Sequence, residues 1–113
     1  MNFDVKKVKI FVTIPTENVN DVRTAICQTK AGIIGNYTHC TYSVNGVGTF
    51  MPNSNANPHI GTKNNLEFVC EDKLEIICNV EDVKSVIKVL REVHPYEEPA
   101  IDIVPLLLEE DFN

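Results

Sequence analysis

The order in which the hydrophobic period changes along the chain constrains its fold more than any other feature. Apolar residues occupy every second position over residues 7–14, which is typical of a β-strand with one buried face. They then recur at three- and four-residue steps from Val19 to about Lys30, which indicates an amphipathic helix. Pro15 separates the two segments. The chain therefore begins with a strand that leads directly into a helix.

The same succession of periods returns in the second half of the chain. Residues 39–51 are rich in β-branched and aromatic side chains, and residues 66–69 and 73–79 also favour strands. A second helical stripe follows, formed by Val83, Val86, Ile87, Leu90 and Val93. This helix should end at His94, because the residue before a proline avoids the α conformation. Residues 100–104 then form a last strand.

Two glycines interrupt the long extended stretch in the middle of the chain. Asn45 and Gly46 fit a two-residue hairpin turn. Gly46 and Gly48 fit equally a bulge within one long strand, and we favour the bulge. Residues 52–61 are polar and predict a loop.

Polar residues at the predicted helix ends suggest capping. Asn18 with Asp21, and Asn79 with Asp82, have the spacing of a capping box at a helix N-terminus. Gly32 suits the left-handed conformation that closes a helix.

The order strand, helix, strand, strand, helix, strand consists of two βαβ halves. This order predicts an α+β, ferredoxin-like βαββαβ sandwich: a four-stranded antiparallel sheet with two helices on one face. With 113 residues, the chain has room for a single domain spanning residues 1–113.

Helices on one face would leave the other face of the sheet uncovered. The alternation places Phe11 and Ile77 on that face, with Tyr42 or Val44 depending on the strand register. A leucine run at residues 106–108 adds further apolar surface. Because apolar side chains on an uncovered face suggest a partner surface, we expect the chain to self-associate.

Charge and cysteine content exclude several classes of partner. Asp and Glu outnumber Lys and Arg by 16 to 10, so we expect neither nucleic acid nor an anionic membrane as a partner. The sequence has no apolar stretch of transmembrane length and no signal-peptide core, which predicts a cytoplasmic location. The four cysteines, Cys27, Cys40, Cys70 and Cys78, form no C-x-x-C pair and are expected to be buried free thiols.

One short segment concentrates groups that bind ligands. His94, Tyr96, Glu97 and Glu98 lie within five residues between prolines, and the topology brings His59 to the same edge of the sheet. We predict these five residues as a ligand-binding site. A structural interpretation stays open, in which His94 bonds the free carbonyls of the helix end, Tyr96 packs and the carboxylates are solvated. The same groups suit a divalent metal, but adjacency alone does not supply a ligand geometry, so we assign no metal residue and no cofactor.

No catalytic residue is predicted. His39 and Cys40 are neighbours on a strand and point to opposite faces, so they cannot act as a nucleophile pair. The glycines form neither a dinucleotide-binding fingerprint nor a phosphate-binding loop.

Four ordered blocks across residues 8–106 resemble a known family. They are AGIIGNYTHC (31–40), GVGTFMP (46–52), ANPHIG (56–61) and HPYEEPA (94–100) followed by Asp102-Ile103. These blocks are similar to the domain inserted in Nif-three-like proteins, the NGG-interacting-factor family that includes the YqfO type. The resemblance implies a CutA-like or PII-like version of the ferredoxin fold, and an assembly that is more often a trimer than a dimer.

The resemblance also marks what this sequence lacks. Full-length members carry two larger flanking segments with the His, Asp and Glu ligands of a dinuclear metal site, and only the insert matches here. We therefore expect a standalone, non-enzymatic oligomeric module that binds or regulates, through a small ligand or a protein partner. The alternatives are a divalent-metal-binding CutA-like protein, a small hydrolase, or a structural piece of a larger complex.

Overall fold

A computed structural model describes residues 4–112, which form a four-stranded sheet covered by two helices. The elements are β1 Lys7–Pro15, α1 Val19–Cys27, β2 Thr41–Phe50, β3 Glu67–Asn79, α2 Val83–Val93 and β4 Ile101–Pro105. The strand order is β2-β3-β1-β4, and each neighbouring pair is antiparallel. The predicted ferredoxin-like βαββαβ class is confirmed.

The core lies between the helices and one face of the sheet, so both helices cover the same side. It is built from the alternate residues of β1 and β3 and from one stripe of each helix. The buried apolar residues are Val8, Ile10, Val12, Ile14, Val19, Val22, Ile26, Cys27, Ala31, Leu74, Ile76, Cys78, Val86 and Leu90. No helix within residues 4–112 has the length and apolarity that a membrane span requires.

The central glycines form neither a turn nor a bulge. The register between β2 and β3 runs without interruption from Thr41 opposite Ile76 to Phe50 opposite Glu67. The predicted short strand at residues 66–69 is accordingly the start of one long strand, β3. Asn45 lies within β2, where its side-chain amide donates to the carboxylate of Asp72 at 2.8 Å. The favoured bulge and the alternative turn were both wrong, because cross-strand contacts hold this polar stretch in the ladder.

The predicted capping boxes do not form either. A 3-10 turn leads into each helix, Thr16–Asn18 before α1 and Val80–Asp82 before α2, and no side chain caps either helix. The side chain of Asn79 instead accepts a hydrogen bond from Lys7 Nζ at 2.9 Å. Packing of the apolar stripes, rather than capping, therefore fixes where the helices begin.

The first helix ends earlier than the apolar period predicts, at Cys27 rather than near Lys30. Gly32 has the predicted left-handed conformation, with φ +77°, but lies in the following loop. Its N–H donates to the carbonyl of Ile77 at 2.8 Å, so the positive φ positions this loop against β3.

Two strands run beyond the rest of the sheet. The last residue of β1, Pro15, lies opposite Glu71, so residues 47–50 pair with residues 67–70 as a two-stranded arm. We refer to this pair as the arm. Its exposed apolar side chains include Val47 and Phe68.

The face of the sheet opposite the helices carries the residues predicted for it. Register places Phe11, Tyr42 and Glu75 side by side, and Val44 and Ile77 project on the same side. Tyr42 is 65% exposed and Val44 is 55% exposed, whereas Phe11 is half-buried. We call this surface the open face.

The cysteines match the prediction only in part. All four are free, but only Cys27 and Cys78 are buried, while Cys70 on the arm is exposed. Burial raises the pKa of Cys78 to about 11, with a further contribution from the charge of Asp82, and burial also raises the pKa of Cys27. These two thiols are core residues.

Candidate functional site

A cavity of about 270 Å³ opens at the end of the sheet where the arm begins. It lies between the arm, the loop that follows β2, and the segment that links α2 to β4. Its lining consists of Thr13, Thr49, Phe50, Met51, Pro52, Ala56, Pro58, His59, Ile60, Glu71, Tyr96, Glu97, Glu98 and Ala100. We call it the end cavity. Most of its wall is apolar, and the exceptions include three carboxylates.

A buried carboxylate forms part of this wall. Glu71 projects from β3 on the same side as the open face, and it is only 7% exposed. The carboxylate occupies the space above Gly48 on the neighbouring strand, where a β-carbon would overlap it. The glycine at position 48 thus leaves the space in which this carboxylate lies.

Tyr96 anchors the carboxylate. Its hydroxyl donates to Glu71 Oε2 at 2.7 Å. Its ring packs edge-on against Phe50, with the ring centroids 5.7 Å apart. Burial and the hydrogen bond to Glu71 raise the pKa of Tyr96 well above its usual value. The phenol is accordingly protonated at neutral pH and acts as a donor.

His94 lies behind Tyr96 and is 6% exposed. Its Nδ1 accepts the backbone N–H of Tyr96 at 3.1 Å, so Nε2 carries the proton and donates to the carbonyl of Thr13 at 2.8 Å. Burial lowers the pKa of this imidazole, more than the hydrogen bond to Thr13 raises it. His94 therefore ties the segment after α2 to β1. Its ring bonds a carbonyl of the sheet, not the helix carbonyls that the structural interpretation assigned to it.

Glu97 joins the two loops that form the mouth of the end cavity. Its carboxylate accepts the backbone N–H of Asn57, at 3.1 Å and 3.3 Å from the two oxygens. Glu98 and His59 line the same mouth, and both are exposed. The carboxylate of Glu97 thus has a structural contact, while Glu98 and His59 face solvent.

Four of the five predicted ligand-binding residues line the end cavity: His59, Tyr96, Glu97 and Glu98. His94 does not line it, and both of its ring nitrogens are engaged in hydrogen bonds. Within the described part of the chain, no three His, Cys, Asp or Glu side chains are grouped so that they would hold a metal ion. The sequence prediction missed Glu71, and Gly48 in an otherwise extended segment was the signal that could have indicated it.

The fold is that of a CutA-like α+β domain. A CutA1 from the psychrotrophic bacterium Shewanella sp. SIB1 superposes with a TM-score of 0.68 at 19% identity, over 93% of this chain and 85% of that protein. The periplasmic divalent cation tolerance protein CutA from Archaeoglobus fulgidus gives a TM-score of 0.67 at 18% identity, over 92% and 89% of the two chains. At these identities the likeness concerns the fold alone.

Relatives of higher identity are Nif-three-like proteins, and the chain is similar to one part of them. The Bacillus cereus protein related to NIF3 superposes with a TM-score of 0.79 at 37% identity, over 93% of this chain but 27% of that protein. The GTP cyclohydrolase 1 type 2 homologs of Halalkalibacterium halodurans and Bacillus subtilis are 43% and 42% identical over 89% and 87% of this chain.

The match is confined to one part of those relatives. The chain spans 27% of the Halalkalibacterium halodurans protein and 26% of the Bacillus subtilis protein. No protein-family model matches the sequence. The predicted resemblance to the Nif-three-like family is confirmed, and so is its implication of a CutA-like fold.

Proposed function

We propose that this domain is a self-associating binding module that takes a small ligand in the end cavity and catalyses no reaction. The observation that carries the proposal is the convergence of His59, Tyr96, Glu97 and Glu98 on one mainly apolar cavity. An apolar wall with a few fixed polar groups is the usual composition of a small-molecule site.

The protonation states of the cavity support binding more than catalysis. A general acid or base works best with a pKa near the operating pH. The phenol of Tyr96 has a raised pKa, and His94 is held neutral behind the wall by two hydrogen bonds. Among the described lining residues, no hydroxyl is hydrogen-bonded to an imidazole as an activated nucleophile would be. This supports a non-enzymatic role over the hydrolase alternative.

The open face supports the self-association in this proposal. Tyr42 and Val44 are exposed on a face that neither helix covers, and a second copy of the chain would remove them from water. The CutA-like fold also favours self-association, since the family resemblance implies a trimer.

A lysine at position 42 is expected to dissociate the assembly. Tyr42 lies opposite Glu75 on the adjacent strand, so Tyr42→Lys keeps a favourable cross-strand pair in the monomer and places a charge in the contact. Light scattering during size-exclusion chromatography at micromolar concentration should show the wild type as an oligomer and the variant as a monomer. Tyr37→Lys, at a 76% exposed tyrosine in a loop, is the matched control and should stay oligomeric. A wild type that is monomeric at this concentration would contradict the self-association.

Ligand binding in the end cavity is tested without assuming a ligand. A fragment library is screened by two-dimensional NMR on labelled protein, and hits are expected to shift the amide signals of Ile60, Tyr96 and Glu98 together. Ala56→Trp would fill the cavity from its loop wall and should abolish the hits. Hits that shift only signals of the open face, or no hits at all, would remove this part of the proposal.

Divalent-metal binding has less support from the geometry. It would depend on His59 and Glu98, since both nitrogens of His94 and the carboxylate of Glu97 already have partners. Calorimetry with copper, zinc and cobalt tests it directly: equal heats for the wild type and His59→Ala would remove it.

A further inference from the structure

Only one of the two carboxylate oxygens of Glu71 accepts a hydrogen bond within the described part of the chain. Oε2 accepts the hydroxyl of Tyr96, whereas Oε1 accepts no hydrogen bond from any residue of the described part of the chain. The cation on its own strand, Lys73, lies over the ring of Phe11, with Nζ 4.8 Å from the ring centroid. On the adjacent strand β1, Lys9 pairs with Glu75. Glu71 is only 7% exposed, and a ligand cation in the cavity would give its carboxylate the ionic partner that no described residue supplies.

The charged residues of the end cavity favour a positively charged ligand. Glu71, Glu97 and Glu98 line it, and within residues 4–112 no lysine or arginine does. Three carboxylates attract a cation and repel phosphate or carboxylate ligands.

The apolar part of the wall favours a cation that is attached to an aliphatic group. Phe50, Met51, Pro52, Pro58 and Ile60 offer carbon surface, which stabilises an aliphatic stem and not a hydrated inorganic ion. A volume of about 270 Å³ suits a small molecule.

We propose that the end cavity binds an organic cation, an ammonium or guanidinium on a short aliphatic stem, with its head group donating to Oε1 of Glu71 beside Gly48. The inference rests on the proposed ligand-binding function and adds the chemical class of the ligand. Two sources carry this chemistry: a free amine, or a lysine or arginine side chain of a peptide.

The test compares matched probes by NMR titration. Hexylamine, hexan-1-ol and hexanoate share a stem and differ in charge, and N-acetyl-lysine methylamide presents the same ammonium as a peptide side chain. Hexylamine is expected to bind at least about tenfold more tightly than hexan-1-ol, because its ammonium adds an ion pair to the hydrogen bond that either head group can donate to Oε1. Hexanoate should not bind. The relative affinities of hexylamine and the lysine derivative then distinguish the two sources.

Substitutions at the head-group position complete the test. Glu71→Gln keeps an acceptor for Tyr96 but removes the charge, and it should weaken hexylamine about tenfold or more while changing the affinity for hexan-1-ol much less. Gly48→Ala should have the same effect, because its β-carbon displaces the carboxylate. Gly46→Ala is the matched control: its β-carbon would have no neighbour closer than 3.9 Å, so hexylamine affinity should be retained.

The outcomes separate this inference from the function on which it rests. If hexan-1-ol or hexanoate binds as tightly as hexylamine, or if Glu71→Gln leaves the amine affinity unchanged, the cationic ligand class is wrong. Fragment hits in the end cavity would then still support a binding module for neutral or anionic molecules. If neither the four probes nor the fragment library shifts any signal of the cavity, both proposals fail together.

Discussion

Truncation of Ile10 to alanine is expected to lower the free energy of unfolding by about 2–5 kcal/mol. Ile10 is fully buried in β1, and it lies between Ile76 on β3 and Ile103 on β4. Removing its outer carbons loses their transfer free energy and leaves a cavity that strands paired on both sides of β1 cannot easily close. Denaturant unfolding at one fixed protein concentration measures the change.

Ile103→Ala supplies the control for this substitution. The same carbons are removed from the residue directly opposite Ile10, on the same face of the sheet, but Ile103 is 45% exposed on an edge strand. The expected loss is below about 1 kcal/mol. Similar losses for the two variants would contradict the placement of the core between β1 and the helices.

Replacing His94 by leucine is expected to lower the free energy of unfolding by about 2–4 kcal/mol. The substitution leaves two part-buried groups without their partners, the carbonyl of Thr13 and the N–H of Tyr96, each at about 1–3 kcal/mol, and the apolar side chain offsets a part of this loss. Chemical denaturation near pH 7.5 gives the value.

His94 also makes the fold sensitive to acid. Burial lowers its folded-state pKa below the unfolded value of 6.5, so both states are neutral above pH 6.5 and stability is complete there. As pH falls below 6.5, the unfolded chain binds a proton that the folded chain excludes, and stability is lost until the lower folded-state pKa is reached.

Unfolding curves at about pH 7.5 and about pH 5.5 isolate this contribution. His94→Leu should lose less stability on acidification than the wild type does. His39→Gln and His59→Gln change exposed imidazoles and should retain the full loss. An unchanged pH dependence in His94→Leu would show that the neutral, doubly bonded imidazole is not its source.

The element order was readable from the residues because burial on one face leaves a period in the sequence. Alternation in β1 and the stripe of α2 both reflect contact with the same core, so the βαββαβ class followed without knowledge of any contact. The ends of elements were not readable in this way. Asn18 and Asn79 are of a residue type that often caps helices. The side chain of Asn79 instead accepts a hydrogen bond from Lys7, which is distant along the chain.

The candidate site shows the same division. Tyr96, Glu97 and Glu98 drew attention because chemically suggestive groups are adjacent in the sequence, and they do line the end cavity. Glu71 stands between Cys70 and Asp72 with nothing local to distinguish it. Its role depends on Gly48, which is 23 residues away and leaves room for its carboxylate.

Local periodicity thus determined the order of the strands and helices, because β1, β3 and the two helices record in their own residues which side is buried. The register of β2 against β3, the neutral tautomer of His94 and the partner of Glu71 were decided only by the tertiary structure. Each of them depends on a contact between segments far apart in the chain, and the residues on either side carry no periodic trace of such a contact.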